Sequence, residues 1–350
     1  MAEAPHGSDA VRALNRIGFL LERTRSPTPR VRAFRRAAAV VSGLDPGELD
    51  CRVRTGALTE LAGIGAVTAA VVEQAVRGEI PDYLSELESR KSAADSLPGA
   101  DSPLLAAIRG DLHTHTDASD GGSPLAEMVA TAIELGHEYV VISDHSPRLR
   151  VANGLSAERL LDQLDRIEAL NAEVAPFRVL TGIEVDINPD GTLDQREDLL
   201  ARLDVVVASV HSRLRDKAEL MTPRMVRAIA NPHVDVLGHC TGRLVDGDRG
   251  PRPPSEFDAD VVFAACARFD VAVEINSRPE RLDPPMPLLA RALDAGCRFS
   301  IDTDAHAPGQ LDWQGYGCER ADEASVPAER VVDTWAVDEL LDWTRRTATG

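Results

Sequence analysis

The chain has 350 residues, 43% of them hydrophobic and 27% charged, with a net charge of −19. At ~150 residues per domain that length suggests two domains, and the balance excludes a mostly disordered chain. No apolar run approaches the ~20 residues of a membrane helix, and so acidic a protein is not expected to hold nucleic acid by diffuse electrostatics alone.

The opening residues, MAEAPHGSDAVRALNRIG, have no basic-then-apolar design, so no secretory leader is expected. Five cysteines (Cys51, Cys240, Cys266, Cys297, Cys318) are odd in number and contain no CxxC, which predicts a reduced, cytoplasmic setting. The charge is uneven: residues 1–40 hold eight Arg and three acids, or +5, so the other 310 residues sum to −24. Either the substrate is small, or contact with a polynucleotide is confined to the basic head and to bound metal. The acidic excess also fits carboxylates built to hold cations.

In chain order, segments 12–22, 30–42 and 46–55 carry apolar residues at three-to-four spacing and predict helices. Asp45 before Pro46 is a start signal, with Leu49 and Val53 on one face. In LTELAGIGAVTAAVVEQAVRGEI, Gly63 and Gly65 interrupt an apolar run before a fresh helix. A turn of this kind can seat a phosphate on backbone N–H groups or simply join two helices; both readings stay open. Residues 89–107 are rich in Ser, Ala, Asp, Pro and Gly and predict a linker.

From 108 onward, apolar runs at 138–142, 178–183, 205–210, 234–237, 271–275 and 298–301 alternate with helical stretches. Ser123-Pro124 is expected to open one helix, with Leu125, Met128, Val129, Ala132 and Ile133 on one face and Gly136 as the stop. Thr222-Pro223 is expected to open another. The alternation argues for parallel α/β units.

Six of the nine histidines (His113, His115, His145, His211, His239, His306) stand just past an apolar run, as do Glu184 and Asp304. One marker per run, at 113, 145, 184, 211, 239, 276 and 304, falls every 27 to 39 residues, near the ~30 of one strand–helix repeat. Seven repeats with a polar group at each carboxyl strand end predict a barrel with its site at one mouth. His6, His137 and His233 lack this phase and are expected to be structural or exposed. Imidazole and carboxylate without thiolate suit Zn, Mn or Fe. These candidate ligands exceed one ion's needs, so two or three divalent ions are expected, a device suited to phosphoester displacement.

DLHTHTDASDGG, VISDHS, TGIEVDINPDGTLD, DVVVASVHS, MTPRMVRAIANPHVDVLGHCTGR, EINSRPERLD and IDTDAHAPG resemble, in order, the motifs of the PHP (polymerase and histidinol phosphatase) domain. The version is most like that of bacterial family X DNA polymerases, over about residues 108–345. RVRAFRRAAAVV and GALTELAGIGAVTAAVVEQAVRGEI resemble the same family's N-terminal helix-hairpin-helix domain. The resemblance implies an α/β fold, a distorted (β/α)7 barrel in residues 108–350. A linker at 89–107 and a small all-α domain at 1–88 would precede it. In full-length relatives fingers, palm and thumb lie between the two parts; here only the linker does, so polymerase activity is not expected.

Carried over by motif, His113, His115, Glu184 and Asp304 would hold a first ion and Asp120, His145 and His306 a second. Glu184, His211 and His239 would hold a third, with Glu184 bridging. Cys240 stands where the family's GHPTGR has Pro. Asp144 and Glu274 are expected to orient ligand imidazoles, or to make ordinary strand-end hydrogen bonds. Arg243 and Arg281 are expected to clamp a substrate phosphate, or to pair with the acidic rim. Asn153, Ser212 and Asn276 are further pocket candidates, and no general acid is evident.

Lyase chemistry needs a Schiff-base lysine, and the only lysines are Lys91 and Lys217, so a lyase role for the head is not expected. Arg12, Arg30, Arg32, Arg35 and Arg36 either contact DNA or form a solvated face. The expected function is a metal-dependent phosphoesterase acting on DNA, as a 3′–5′ exonuclease or repair nuclease. The alternatives are a small-molecule phosphatase of the histidinol-phosphate type and a non-catalytic metal-binding or partner-docking module.

Overall fold

Asp45 does what its position before Pro46 suggests: its carboxylate accepts the N–H groups of Gly47 and Glu48 and starts the helix Pro46–Thr55, which Gly56 ends at φ 69°. Helices His6–Arg23, Thr28–Ser42, Ala66–Val76 and Asp82–Ala94 complete the first unit of the computed structural model. Leu14, Ile17, Phe34, Leu58 and Val72 form part of its core. Arg35 is part of this scaffold: its Nε and Nη2 donate to the two Glu22 carboxylate oxygens at 2.8 and 2.7 Å, both side chains nearly buried. Arg35 is thereby withdrawn from the expected DNA-contact set. Arg12 pairs with Asp9, whereas Arg30, Arg32 and Arg36 lie exposed.

The structure describes residues 6–94, 97–247 and 250–349, and contacts divide the chain into units 1–96 and 97–350. The side chain of His6 is outside the described residues. Little of segment 89–107 behaves as a linker. The helix of the first unit runs on to Ala94. From 97 the chain packs on the second unit, where Ser102 caps the helix Pro103–Ala107. There a Cβ on Gly99 would sit 2.2 Å from the Gly315 carbonyl oxygen. Residues 95 and 96 lie outside the described residues.

The second unit is built on seven parallel strands: β1 (Gly110–Thr114), β2 (Tyr139–Ile142), β3 (Arg178–Asp186), β4 (Val205–Ser209), β5 (Val236–Leu237), β6 (Ala272–Glu274) and β7 (Phe299–Ser300). They pair in sequence order. Runs such as YVVI in β2 and VVVAS in β4 are buried on both faces, as parallel strands covered by helices require. Leu112, Val141, Leu180, Val207 and Val236 meet Leu340, Leu341 and Trp343 of the helix Val337–Thr349. That helix closes the end of the barrel where the strands begin: the Trp343 indole N–H donates to the Asp270 carbonyl just before β6.

β1 and β7 do not form a full ladder. Near the mouth, the His115 N–H donates to the Ala305 carbonyl at 2.8 Å. The Leu112 N–H donates to Asp302 Oδ1 at 2.7 Å, and the Thr303 hydroxyl to Asp111 at 2.5 Å. At the other end residues 331–333 fill the gap. Val331 bridges Phe299, the Arg109 N–H donates to the Asp333 carbonyl, and the Ile301 N–H to the Asp333 carboxylate. This is a seven-repeat barrel with one irregular joint.

Of the two expected helix starts one falls elsewhere and the other holds without its side-chain cap. Helix Ala218–Ile229 begins five residues before Pro223, which lies inside it, because buried Met221 continues the face of Met225 and Ile229 upstream. The Thr222 hydroxyl instead accepts the Asp258 N–H at 2.8 Å. Helix Leu125–Glu134 starts behind Pro124 without a cap from Ser123, and Ile133 is 41% exposed rather than on the packed face. All five cysteines are free, four of them buried. No helix among the described residues is long and apolar enough to cross a membrane.

Candidate metal centre

Every strand but β6 delivers a candidate ligand at its carboxyl end. His113 and His115 are two residues apart at the end of β1, so strand alternation points both rings to one side. Glu184 is in β3, His145 follows β2, His211 follows β4, His239 follows β5, and Asp304 and His306 follow β7. Asp120 comes from the loop after β1. The nine residues gather as four overlapping groups: His113, His115 and Asp304; His115, Asp120, His145 and His306; His145, Glu184 and His211; His113, Glu184 and His239. Within each group the donor atoms lie within 4.8 Å of one another. The grouping is more interleaved than three separate ion sites, because His113, His115 and His145 each belong to two groups.

Glu184 is the centre of the cluster and fully buried. Its Oε1 faces His239 Nε2 at 2.9 Å and His211 Nε2 at 3.2 Å. Its Oε2 faces His145 Nδ1 at 2.7 Å, His113 Nε2 at 3.4 Å and His115 Nε2 at 3.7 Å. Several of these atoms are buried without a hydrogen-bond partner: His113 Nε2, both nitrogens of His115 and of His211, and Glu184 Oε2. Unpartnered buried polar atoms cost roughly 1–3 kcal/mol each. Six of them in one cluster, each ring able to offer one nitrogen, fit a cation-binding role, and the hard and borderline donors suit divalent ions.

The protonation pattern is uneven. Burial disfavours a charged Glu184, yet the rings of His211, His145 and His113 outweigh it and hold the carboxyl well below its ordinary range. Burial likewise opposes charge on His211, but Glu184 and Asp186 lift that ring to about 9. Burial and Arg281 bring His239 down to about 4. Burial, with His306 and His145 nearby, keeps His115 neutral.

Supporting groups surround the cluster. Glu274 orients two ligands: its Oε1 lies 2.6 Å from His113 Nδ1, and its Oε2 accepts the His239 N–H and, at 3.2 Å, Asn276 Nδ2. Asp144 touches no imidazole. It accepts the N–H and hydroxyl of Thr116, the Ser119 hydroxyl and the Gln163 amide, and so braces the loop leading to Asp120. Its expected role on the rings is corrected accordingly.

Arg281 Nε donates to Asp304 Oδ2 at 2.9 Å and borders the cluster. The Arg243 guanidinium is turned onto the carbonyls of Arg281 and Leu282, so it holds the backbone that carries Arg281. Cys240 is buried in the outer core, its Sγ 3.9 Å from Asp283. Asp283 in turn accepts from Thr241 and from the Arg243 N–H, which sets the loop after His239. Asn276 reaches Asp304 Oδ2 at 3.4 Å. Asn153 and Ser212 bond to Ala118 and Arg224 and approach no candidate ligand.

Sequence reasoning missed two residues. Arg278 donates to the Asp304 carbonyl at 2.8 Å and lies 3.0 Å from His306 Nδ1. Asp186 faces His211 through Oδ1, accepting its N–H at 3.1 Å. Asp186 was findable: it stands two residues past Glu184 in one strand and so shares its face. Among the histidines left outside the cluster, His233 pairs with Glu197 at 3.4 Å, and burial lowers His137 to about 4.

Three comparisons bear on this arrangement. The PHP domain family model matches residues 111–277. The DNA polymerase/3′-5′ exonuclease PolX of Bacillus subtilis is 39% identical over 242 residues, 69% of this chain; the chain spans only 42% of that protein. A probable phosphatase of Serratia proteamaculans is 30% identical over 253 residues, 67% of this chain and 94% of that one. Among solved structures, a histidinol phosphate phosphatase from Lactococcus lactis, complexed with zinc, L-histidinol and phosphate, matches 69% of this chain and 93% of that chain. Its TM-score is 0.42 at 17% identity. With imidazoles and carboxylates at the strand ends of a seven-stranded barrel, and with relatives of this identity and coverage, the chain belongs to the PHP family of metal-dependent phosphoesterases.

Proposed function

We propose that the chain hydrolyses phosphoester bonds at a multinuclear Zn or Mn site and that its substrate is a DNA strand. The observation that carries the hydrolytic reading is Glu184: one buried carboxylate turns its two oxygens to different sets of imidazoles, as a bridging ligand must. The proposed ligand sets are His113, His115, Glu184 and Asp304; Asp120, His145 and His306; and Glu184, His211 and His239. Divalent ions held there supply Lewis-acid charge for phosphoryl oxygens and an acidified water as nucleophile. Glu274 fixes the ring of His113, and Asp186 holds the backbone N–H of His211. Arg281, at the edge of the cluster, neutralises a phosphoryl oxygen with the donors it does not spend on Asp304. Arg243 positions Arg281 rather than touching substrate.

The DNA reading is supported by the likeness to PolX and by the head. There Gly63 at φ 104° turns the chain into the helix Ala66–Val76, whose start at Gly65, Ala66 and Val67 is exposed, with Arg36 packed over Gly63. The second reading, a small phosphoester, is favoured by the acidic barrel and the match over 94% of the Serratia protein. Reversing three exposed charges in the full chain (Arg30→Glu, Arg32→Glu, Arg36→Glu) separates them. If DNA is the substrate, cleavage of single-stranded and recessed DNA falls at least ~10-fold and loses salt dependence, while p-nitrophenyl phosphate turnover is unchanged. Equal DNA cleavage by both proteins across a salt series would remove the head from substrate binding.

A further inference from the structure

At the end of the barrel remote from the metal centre, a cavity of about 350 Å³ is lined by Arg298, Glu329, Trp335, Glu339 and Trp343. Its place is fixed by chain direction: Arg298 immediately precedes β7, whereas Asp304 follows it. The size lies at the lower end of small-molecule sites, ~300–1,000 Å³. Trp335 and Trp343 meet edge to face, their centroids 5.9 Å apart at 90°, and give two aromatic walls. The Trp343 N–H is already spent on the Asp270 carbonyl, so this largely buried indole brings no free donor to the cavity.

The charges are unbalanced. Arg298 lies 4.9 Å over the Trp335 ring, but its Nε is paired with Asp270 at 2.7 Å. Arg109, which feels Glu339, is paired with Glu138 at 2.7 Å. Glu329 and Glu339 are exposed and have no hydrogen bond or ion pair among the described residues. Two carboxylates without an ion pair, of which only Glu339 feels a cation (Arg109) already paired elsewhere, stand beside two indoles and favour a cation over an anion. A phosphate or nucleotide therefore does not belong here.

We infer that this cavity is a second ligand site, for a small organic cation bearing an ammonium or guanidinium group. It does not depend on the reaction at the metal centre. The test titrates full-length protein with spermidine, choline and arginine in turn, at constant ionic strength set by sodium chloride, and follows tryptophan emission and thermal midpoint. At least one of the three should give a saturable change in emission and a rise in midpoint, and which one does so assigns a polyamine, a quaternary ammonium or a guanidinium ligand. Binding should weaken at least ~10-fold in Glu329→Gln/Glu339→Gln, and Trp335→Phe should remove most of the optical signal. Both glutamates are exposed, so the double variant keeps its fold and its phosphoester turnover. No saturable change with any of the three, or an equal response in the double variant, overturns the site.

Discussion

Glu184 concentrates the chemistry of the centre in one side chain. Glu184→Gln keeps its shape but removes the charge that serves both sets of rings, so metal content should fall by more than one set's share while the far-ultraviolet spectrum is unchanged. Elemental analysis of dialysed protein checks this, and a wild-type ion count would strike Glu184 from the ligand set. His211 gives a pH dependence with a definite sign. Its ring, lifted to about 9, is charged at neutral pH, and a ligand nitrogen must be neutral. Apparent metal affinity should therefore rise with pH up to about 9, with a proton released that calorimetry detects as a buffer-dependent heat. Without metal the sign reverses. The Glu184–His211 contact stabilises the fold below about pH 6.5 and is lost as pH climbs through 9.

Eight of the nine candidate ligands can be singled out in the sequence because each stands just past an apolar run in the same phase of the repeat, whereas Asp120, in the loop after β1, comes only from the family motif. Of the two readings left open for Asp144 the structure shows ordinary hydrogen bonding, since adjacent residues at a strand end point to opposite sides and His145 turns the other way. Spacing also misleads in the other direction. Asp186, Asn188, Asp190, Gly191, Asp194 and Glu197 stand at the intervals of a calcium-binding loop. Their oxygens are spent on His211, Arg148, Thr192 and Ser146, and Glu197 turns away to Asn231 and His233. Which oxygen meets which donor is decided by tertiary packing, and no local pattern records it.

Among the elements, the strands and the head helices followed from hydrophobic period and caps, and the misplaced start came from the Thr222-Pro223 pair. An interior proline costs a helix ~3 kcal/mol, but burying a methionine returns ~1.5–3 kcal/mol. Met221 before Pro223 and Met225 after it are both fully buried, so the helix extends through the proline. The true first turn is poorly finished: Lys217 at its N-cap makes no side-chain bond to the free N–H groups. Lys217→Asp should supply that bond and a favourable charge at the helix start, adding ~1 kcal/mol. For a unit of this size that is a rise of ~2–4 °C in thermal midpoint, read by calorimetry; a lower midpoint would show that Lys217 has a role the cap does not explain.

For the molecule as a whole, the sequence showed two parts, an acidic barrel and before it a helical unit whose first forty residues are basic, but not where one unit ends. Segment 97–107 has linker composition because it runs along the surface, yet Gly99 against Gly315 and the Ser102 cap bind it to the barrel. A truncation meant to isolate the barrel has to begin at or before Leu97; one beginning at 101 would strip a packed strand of chain from it.

The irregular joint between β1 and β7 gives the ions a mechanical task. His113 and His115 stand on one side of that joint and Asp304 and His306 on the other. An ion held by His113, His115 and Asp304 would cross-link residues almost two hundred positions apart in the chain, where the hydrogen-bond ladder is thinnest. Cross-links over long loops remove the most freedom from the opened chain. Stripping the metal should therefore loosen the hoop at this joint before it disturbs β3 or β4. Amide exchange would read this directly: the N–H groups of Leu112, Thr303 and His115 should accelerate on chelation far more than those of Val206 and Val207. Uniform acceleration throughout the barrel would mean that the joint is held closed by its side chains alone.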